Sequence, residues 1–109
     1  MTIKDLIDSK IFTLIHEGEE VDQVITKPFC CDLLSIAMSK APAGAAWVTV
    51  MANMNTLAVA TLTECACIIL AEGTRLDDAA LNKGKMEGIT VLATEEPVFE
   101  SAQKVAELL

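Results

Sequence analysis

Short apolar runs alternate with amphipathic segments through the second half of the chain, and this alternation restricts the possible folds more than any other sequence feature. Residues 47–51, 65–70 and 89–93 are apolar runs long enough for one buried strand each. Helical spacing of apolar residues follows each run, over 53–63, 76–87 and 97–109. Such alternation favours a parallel sheet with crossover helices. We therefore predict an α/β fold of the three-layer α/β/α type with a mostly parallel sheet, formed as a single domain over residues 1–109.

The first third of the chain gives weaker patterns. Residues 2–9 predict a short helix, 11–15 a strand and 21–26 a second, weaker strand. Lys27-Pro28 breaks this second strand, because proline cannot donate to a strand ladder. We expect these two strands to form a pair at one edge of the sheet. Residues 32–39 predict a helix capped by Asp32, and Asn53 or Asn55 is expected to cap the next helix. Gly88 is expected to lie just past the end of the helix over 76–87.

Charge excludes two classes of partner. The chain has 16 acidic and 8 basic residues, a net charge of −8, and Arg75 is its only arginine. Nucleic-acid binding needs a basic surface, which this chain lacks, and an anionic membrane surface would repel it. The uncharged stretch 41–63 contains Pro42 and two asparagines, so we interpret it as a strand, a turn and a helix. Residues 1–8 hold Lys4 and two aspartates, so we expect no secretory signal and a cytoplasmic location.

The four cysteines permit more than one interpretation. Cys30 and Cys31 are adjacent, and one residue separates Cys65 from Cys67. Structural zinc sites use pairs separated by two to four residues, so neither pair fits and we predict no metal site and no cofactor. In a strand, however, Cys65 and Cys67 would point to the same face and could approach a metal or each other. The other interpretation is that they are small, inert core residues in a reducing cytoplasm.

Residues suited to catalysis are scarce. His16 is the only histidine, and it lies in a polar turn rich in glutamate, so we interpret it as a solvated surface residue. The glutamates are likewise interpreted as solvated charge. No phosphate-binding glycine motif and no nucleophile elbow are present. We therefore predict that the protein is not an enzyme.

A candidate ligand site follows from the predicted topology, because ligands of open α/β sheets bind beyond the carboxyl ends of the strands. That edge would contain five candidate ligand-binding residues: Asn53, Asn55, Gly73, Arg75 and Thr94. A lone arginine beside a helix N-terminus can hold a phosphate or carboxylate. The alternative is purely structural: asparagine caps, a glycine turn, and an ion pair from Arg75 to Asp77 or Asp78.

Several short segments also carry a resemblance to a known family. They are Asp32-Leu33-Leu34-Ser35-x-x-Met38, Gly44-x-x-Trp47-Val48-Thr49, Asn55-x-x-Ala58-Val59-Ala60-x-Leu62, Ile68-Ile69-Leu70-x-x-Gly73 and Gly88-Ile89-x-Val91-Leu92-x-Thr94-x-x-x-x-Phe99-Glu100. In this order, over residues 1–108, they resemble the DRTGG-domain family. The resemblance implies a fold similar to the N-terminal domain of HPr serine kinase/phosphorylase. The literal string that names the family is absent, so no ligand role attached to it is carried over.

The resemblance also implies a function: a stand-alone, non-catalytic regulatory or dimerisation module. We expect a homodimer that senses a small anionic ligand, such as a nucleotide or phosphate, or that serves a metabolic enzyme. The methionines at Met38 and within 51–54 are either its self-association surface or part of the core. Two other functions stay open, a cysteine-based metal or redox protein and a serine-kinase-like phosphoryl-transfer protein.

Overall fold

Ten elements of secondary structure form the protein in a computed structural model that describes all of residues 1–109. The five helices are α1 (Ile3–Asp8), α2 (Leu34–Lys40), α3 (Met54–Leu62), α4 (Asp78–Glu87) and α5 (Val98–Leu108). The five strands are β1 (Thr13–His16), β2 (Pro28–Cys30), β3 (Ala46–Thr49), β4 (Cys67–Leu70) and β5 (Thr90–Ala93). None of the helices is long and apolar enough to cross a membrane.

The strands form one sheet in the order β1-β5-β4-β3-β2. Strands β2 to β5 run parallel, and β1 pairs antiparallel with β5, so the sheet is mixed but mostly parallel. One face contributes to a core with residues of α1 and α5, and the other contributes to a core with residues of α2, α3 and α4. The predicted three-layer α/β/α fold is therefore confirmed.

The strongest sequence patterns correspond to the best-buried elements. Every residue of β3 and of β4 is buried, which agrees with strands covered on both faces. Asn53 caps α3, as predicted, by accepting the backbone N–H groups of Asn55 and Thr56. Gly88 ends α4 with a φ of 70°, a left-handed conformation that glycine adopts without strain.

The prediction for residues 21–26 is wrong. Within that segment, Val24 forms only an isolated bridge with Thr2, and the strand lies instead at Pro28–Cys30. Pro28 is the first residue of an edge strand, a position where its missing N–H removes no essential ladder bond. The expected strand pair is also wrong, because β1 and β2 lie at opposite edges of the sheet.

Asp32 does not cap α2, contrary to the prediction. Leu33 occupies the N-cap position and makes no side-chain cap bond. Asp32 Oδ1 instead accepts the Thr49 hydroxyl at 2.6 Å and the Val50 N–H at 2.9 Å, directly after β3. Its carboxylate therefore joins the chain that follows β2 to the carboxyl end of β3.

Candidate functional site

The loops that follow β4 and β5 are joined by backbone hydrogen bonds at the carboxyl edge of the sheet. The Gly73 N–H donates to the Thr94 carbonyl at 3.0 Å, and the Glu72 N–H donates to the Glu96 carbonyl at 2.9 Å. Both Glu72 and Gly73 have positive φ, 59° and 71°, so the chain turns sharply after β4. These hydrogen bonds hold the two loops against each other, so the loops together form one wall.

A cleft of about 380 Å³ opens beside this wall. Its lining comes from β1, from the ends of β4 and β5 with the loops that follow them, and from α4. The lining residues are Thr13, Ile15, Leu70, Gly73, Thr74, Arg75, Leu76, Leu81, Ala93, Thr94 and Glu95. Its volume and its mixture of apolar and polar lining residues are typical of sites for small molecules.

The structure divides the five candidate residues into two groups. Gly73, Arg75 and Thr94 line the cleft together, whereas Asn53 and Asn55 do not. The Asn53 side chain is occupied as the cap of α3, and Asn55 is an exposed residue in the first turn of that helix. For the asparagines the structural alternative is therefore the better description.

Arg75 carries the only guanidinium group of the chain and forms no ion pair. The ion pairs of the protein are Lys4–Asp8, Lys83–Glu87 and Lys104–Glu96. Asp77, one of the two partners considered for Arg75, caps α4 by accepting the Ala80 N–H at 2.7 Å. The proposed ion pair with Asp77 or Asp78 is wrong, and the Arg75 side chain is exposed at the cleft without a carboxylate partner.

Eight of the eleven lining residues were not among the candidates, and Glu95, Thr13 and Ile15 are the most informative of them. The Glu95 carboxylate lies against Gly73, where an added Cβ would overlap it. Sequence reasoning treated Glu95 as solvated charge, although its position two residues after β5 was a usable signal. Thr13 and Ile15 come from β1, and no sequence signal placed that strand beside β5. The cleft therefore combines one unpaired cation and one carboxylate with apolar side chains.

Cys65 and Cys67 belong to the cores on the two different faces of the sheet. Cys65 precedes β4 and packs in the core under α2, α3 and α4, whereas Cys67 packs in the core under α1 and α5. The expectation that they share a face is wrong, because the strand begins only at Cys67. Burial raises the pKa of the Cys67 thiol to about 12, with a further contribution from Cys65. Burial also raises the pKa of Cys30, with a smaller contribution from Asp32.

A second cleft, of about 320 Å³ and acidic, lies at the other end of the parallel strands, near their amino ends. Glu19, Glu20, Glu64 and Glu87 contribute to its lining. No group of three or more His, Cys, Asp or Glu side chains is arranged to hold a metal ion anywhere in the chain.

His16 is the last residue of β1 and is partly buried, rather than a fully solvated turn residue.

The methionines divide between surface and core. Met38 and Met54 are about half exposed, at 48% and 50%, whereas Met51 packs against the core under α2, α3 and α4.

Fold and cleft together define a small three-layer α/β domain with an open cleft at the carboxyl edge of its sheet. The chain matches no protein-family model, and no curated protein matches it.

Proposed function

We propose that this protein is a non-catalytic regulatory module that binds a small anionic ligand, such as a nucleotide or phosphate, in the carboxyl-edge cleft. The proposal includes membership of the DRTGG-domain family, homodimerisation, a cytoplasmic location, and service to a metabolic enzyme. The observation that carries the ligand proposal is the unpaired Arg75 guanidinium at the cleft. A guanidinium without a protein carboxylate is free to donate two parallel hydrogen bonds to a phosphate or carboxylate.

The rest of the cleft supports a ligand larger than a bare phosphate. Ile15, Leu76 and Leu81 provide an apolar surface for a flat or hydrocarbon body. Glu95 provides a carboxylate that accepts hydrogen bonds from amino or hydroxyl groups. A nucleoside monophosphate combines the matching groups in one molecule: an anion for Arg75, a base for the apolar side chains, and donors for Glu95.

The chemistry of the lining supports binding rather than catalysis. The cleft contains no histidine, cysteine or lysine, and Glu95 is its only carboxylate. Two of its three threonine hydroxyls are occupied locally: Thr74 donates to the Ala71 carbonyl, and Thr94 accepts the Glu96 N–H. General acid–base and nucleophilic mechanisms need a base within hydrogen-bond reach of a nucleophile, and the lining supplies no such pair.

Thermal unfolding with adenosine monophosphate and with inorganic phosphate tests the proposal. A ligand at a hundredfold excess over its dissociation constant stabilises the folded state by about 2.7 kcal/mol, which raises Tm by roughly 10 °C for a chain of this size. We expect the larger rise with the nucleotide. We expect Arg75→Gln to weaken nucleotide binding at least tenfold, because it removes the charged bidentate donor.

Lys40→Gln is the matched control, since it also removes one positive charge but lies on α2, outside the cleft. It should bind the nucleotide as the wild type does. The absence of any rise in Tm with either compound, or equal binding by wild type and Arg75→Gln, would contradict the proposed ligand site.

A further inference from the structure

Glu95 lies between two residues that are tied to the neighbouring loop. The Thr94 carbonyl accepts the Gly73 N–H at 3.0 Å, and the Glu96 carbonyl accepts the Glu72 N–H at 2.9 Å. The Glu96 N–H also donates to Thr94 Oγ1 at 3.2 Å, which closes a turn around Glu95. The backbone of Glu95 is therefore held from both sides, although the residue is exposed.

The Glu95 carboxylate is packed against the backbone of Gly73. A Cβ at Gly73 would overlap Oε2 of Glu95 and would lie 3.7 Å from Oε1, so both oxygens lie close to this glycine. Gly73 has a φ of 71°, a conformation that residues with a Cβ rarely adopt. Gly73, predicted from the sequence as a ligand-binding residue, contributes here by leaving room for the Glu95 carboxylate in the lining of the cleft.

Neither charge of the cleft has a partner within the protein. Glu95 forms no ion pair and no side-chain hydrogen bond, and the same holds for Arg75. Both line the same cleft, yet they do not pair with each other. A carboxylate is an acceptor only, and each of its two oxygens can accept a donor. The cleft therefore presents an unused double acceptor as well as an unused guanidinium.

We propose that Glu95 makes this cleft selective for guanine among the nucleotide bases. The proposal rests on the nucleotide ligand of the proposed function and names its base. The Watson–Crick edge of guanine has two neighbouring donors, N1–H and the N2 amino group, which can donate in parallel to the two oxygens of one carboxylate. Bidentate pairs with an ionised partner add geometric specificity as well as stability.

The other bases lack this pair of donors. Adenine and cytosine each have an amino group beside a ring nitrogen that is an acceptor, and uracil has one N–H between two carbonyl acceptors. Each of them would place an acceptor against an oxygen of the Glu95 carboxylate. A site that pairs with ligand N–H groups discriminates against an analogue that lacks them, because its own polar atoms are then left unpaired.

Isothermal titration calorimetry of the full chain with three nucleotides tests the proposal. They are guanosine, inosine and adenosine monophosphate, which share the phosphate and the ribose. Inosine keeps the N1–H of guanine but lacks the amino group. Because Glu95 is exposed, water compensates part of the discrimination, and we expect guanosine monophosphate to bind about tenfold tighter than adenosine monophosphate. The inosine nucleotide should lie between them.

Glu95→Gln is the decisive variant. Its amide offers one acceptor and one donor, which match the amino group and the neighbouring ring nitrogen of adenine. Removing a negative charge helps any anionic ligand to bind, so the informative quantity is the ratio of the two affinities. We expect the preference for guanosine over adenosine monophosphate to fall at least tenfold, so that it is lost or reversed. A purely structural or electrostatic role for Glu95 would change both affinities by the same factor.

Glu72→Gln is the matched control. It removes the same charge from an exposed residue of the adjoining loop that does not line the cleft, so the ratio of affinities should stay as in the wild type. Equal binding of the guanosine and adenosine nucleotides by the wild type would overturn the inference. So would a ratio that Glu95→Gln leaves unchanged, or one that Glu72→Gln lowers as strongly.

The inference and the proposed function can fail separately. If Arg75→Gln weakens both nucleotides while the wild type binds them equally, the anion site stands and only the assignment of the base is wrong. If the wild type binds none of the three nucleotides, both are wrong. The comparison of the three nucleotides uses the wild-type chain alone, so it does not depend on the folding of any variant.

Discussion

Gly18 offers the sharpest test of how closely the backbone is packed around β5. An added Cβ would overlap the Gly88 carbonyl oxygen and would lie 2.7 Å from the Thr90 nitrogen. Both contacts are with backbone atoms, which cannot rotate away as a flexible side chain can. We therefore expect Gly18→Ala to push the loop after β1 away from the start of β5.

The cost follows from what that displacement breaks. The Gly18 N–H donates to Thr90 Oγ1 at 2.9 Å, and the next residue donates its N–H to the Gly88 carbonyl at 3.1 Å. Overpacking costs about 1–3 kcal/mol, and each lost hydrogen bond costs about 1 kcal/mol. We expect the free energy of unfolding to fall by about 3–5 kcal/mol and Tm to fall by roughly 15 °C or more.

Gly84→Ala is the matched comparison, with the opposite sign. Gly84 lies inside α4, and a Cβ there would lie 3.4 Å from Leu57 Cδ1, an ordinary van der Waals distance. Replacing glycine by alanine in a helix interior gains about 1 kcal/mol. Urea unfolding followed by circular dichroism should therefore show one destabilised and one stabilised variant. The reasoning is refuted if Gly18→Ala lies within 1 kcal/mol of the wild type, or if Gly84→Ala is the more destabilised of the two.

Three further predictions concern single side chains, each measured by urea unfolding. Asn53→Ala should lower the free energy of unfolding by about 1 kcal/mol through loss of the α3 cap, whereas Asn55→Ala should change it by less than about 0.5 kcal/mol. Asp32→Ala should lower the free energy of unfolding by about 2–3 kcal/mol, because the buried Thr49 hydroxyl loses its acceptor. Asp32→Asn should lower it by less, because its amide oxygen can still accept the Thr49 hydroxyl. The Cys67 thiol has a pKa of about 12 in the folded chain against an ordinary value of 9.0. The neutral thiol therefore contributes its full stabilisation of the folded state below pH 9, and this contribution is lost as pH rises toward 12. Wild type should lose about 1.4 kcal/mol more than Cys67→Ala between pH 8 and pH 10, and equal losses would contradict this assignment.

Elements with strong local signals were predictable. The run Ile68-Ile69-Leu70 has no polar residue on either face, which indicates a strand covered on both sides, and it is the centre of the sheet. Asn53 and Gly88 satisfy backbone groups within their own turns. Signals of this kind involve residues close in sequence, so they are visible without the tertiary structure.

Elements that depend on distant partners were not predictable in the same way. Pro28–Cys30 is a strand because β3 lies beside it, and its proline is tolerated because it begins an edge strand. Asp32 looked like a helix cap by its position, but its carboxylate instead accepts hydrogen bonds from Thr49 and Val50, at the end of β3 and directly after it. In both cases a long-range partner outcompeted the local preference.

The amino-acid sequence by itself determined the layered α/β class, the acidic surface, and the single guanidinium that follows β4. These properties depend on local periodicity and on composition, both of which can be read directly. Only the tertiary structure decided that β1 lies beside β5, which brings Thr13 and Ile15 to the same cleft as Arg75. Strand order depends on the packing of all helices over both faces at once, and no short segment contains that information.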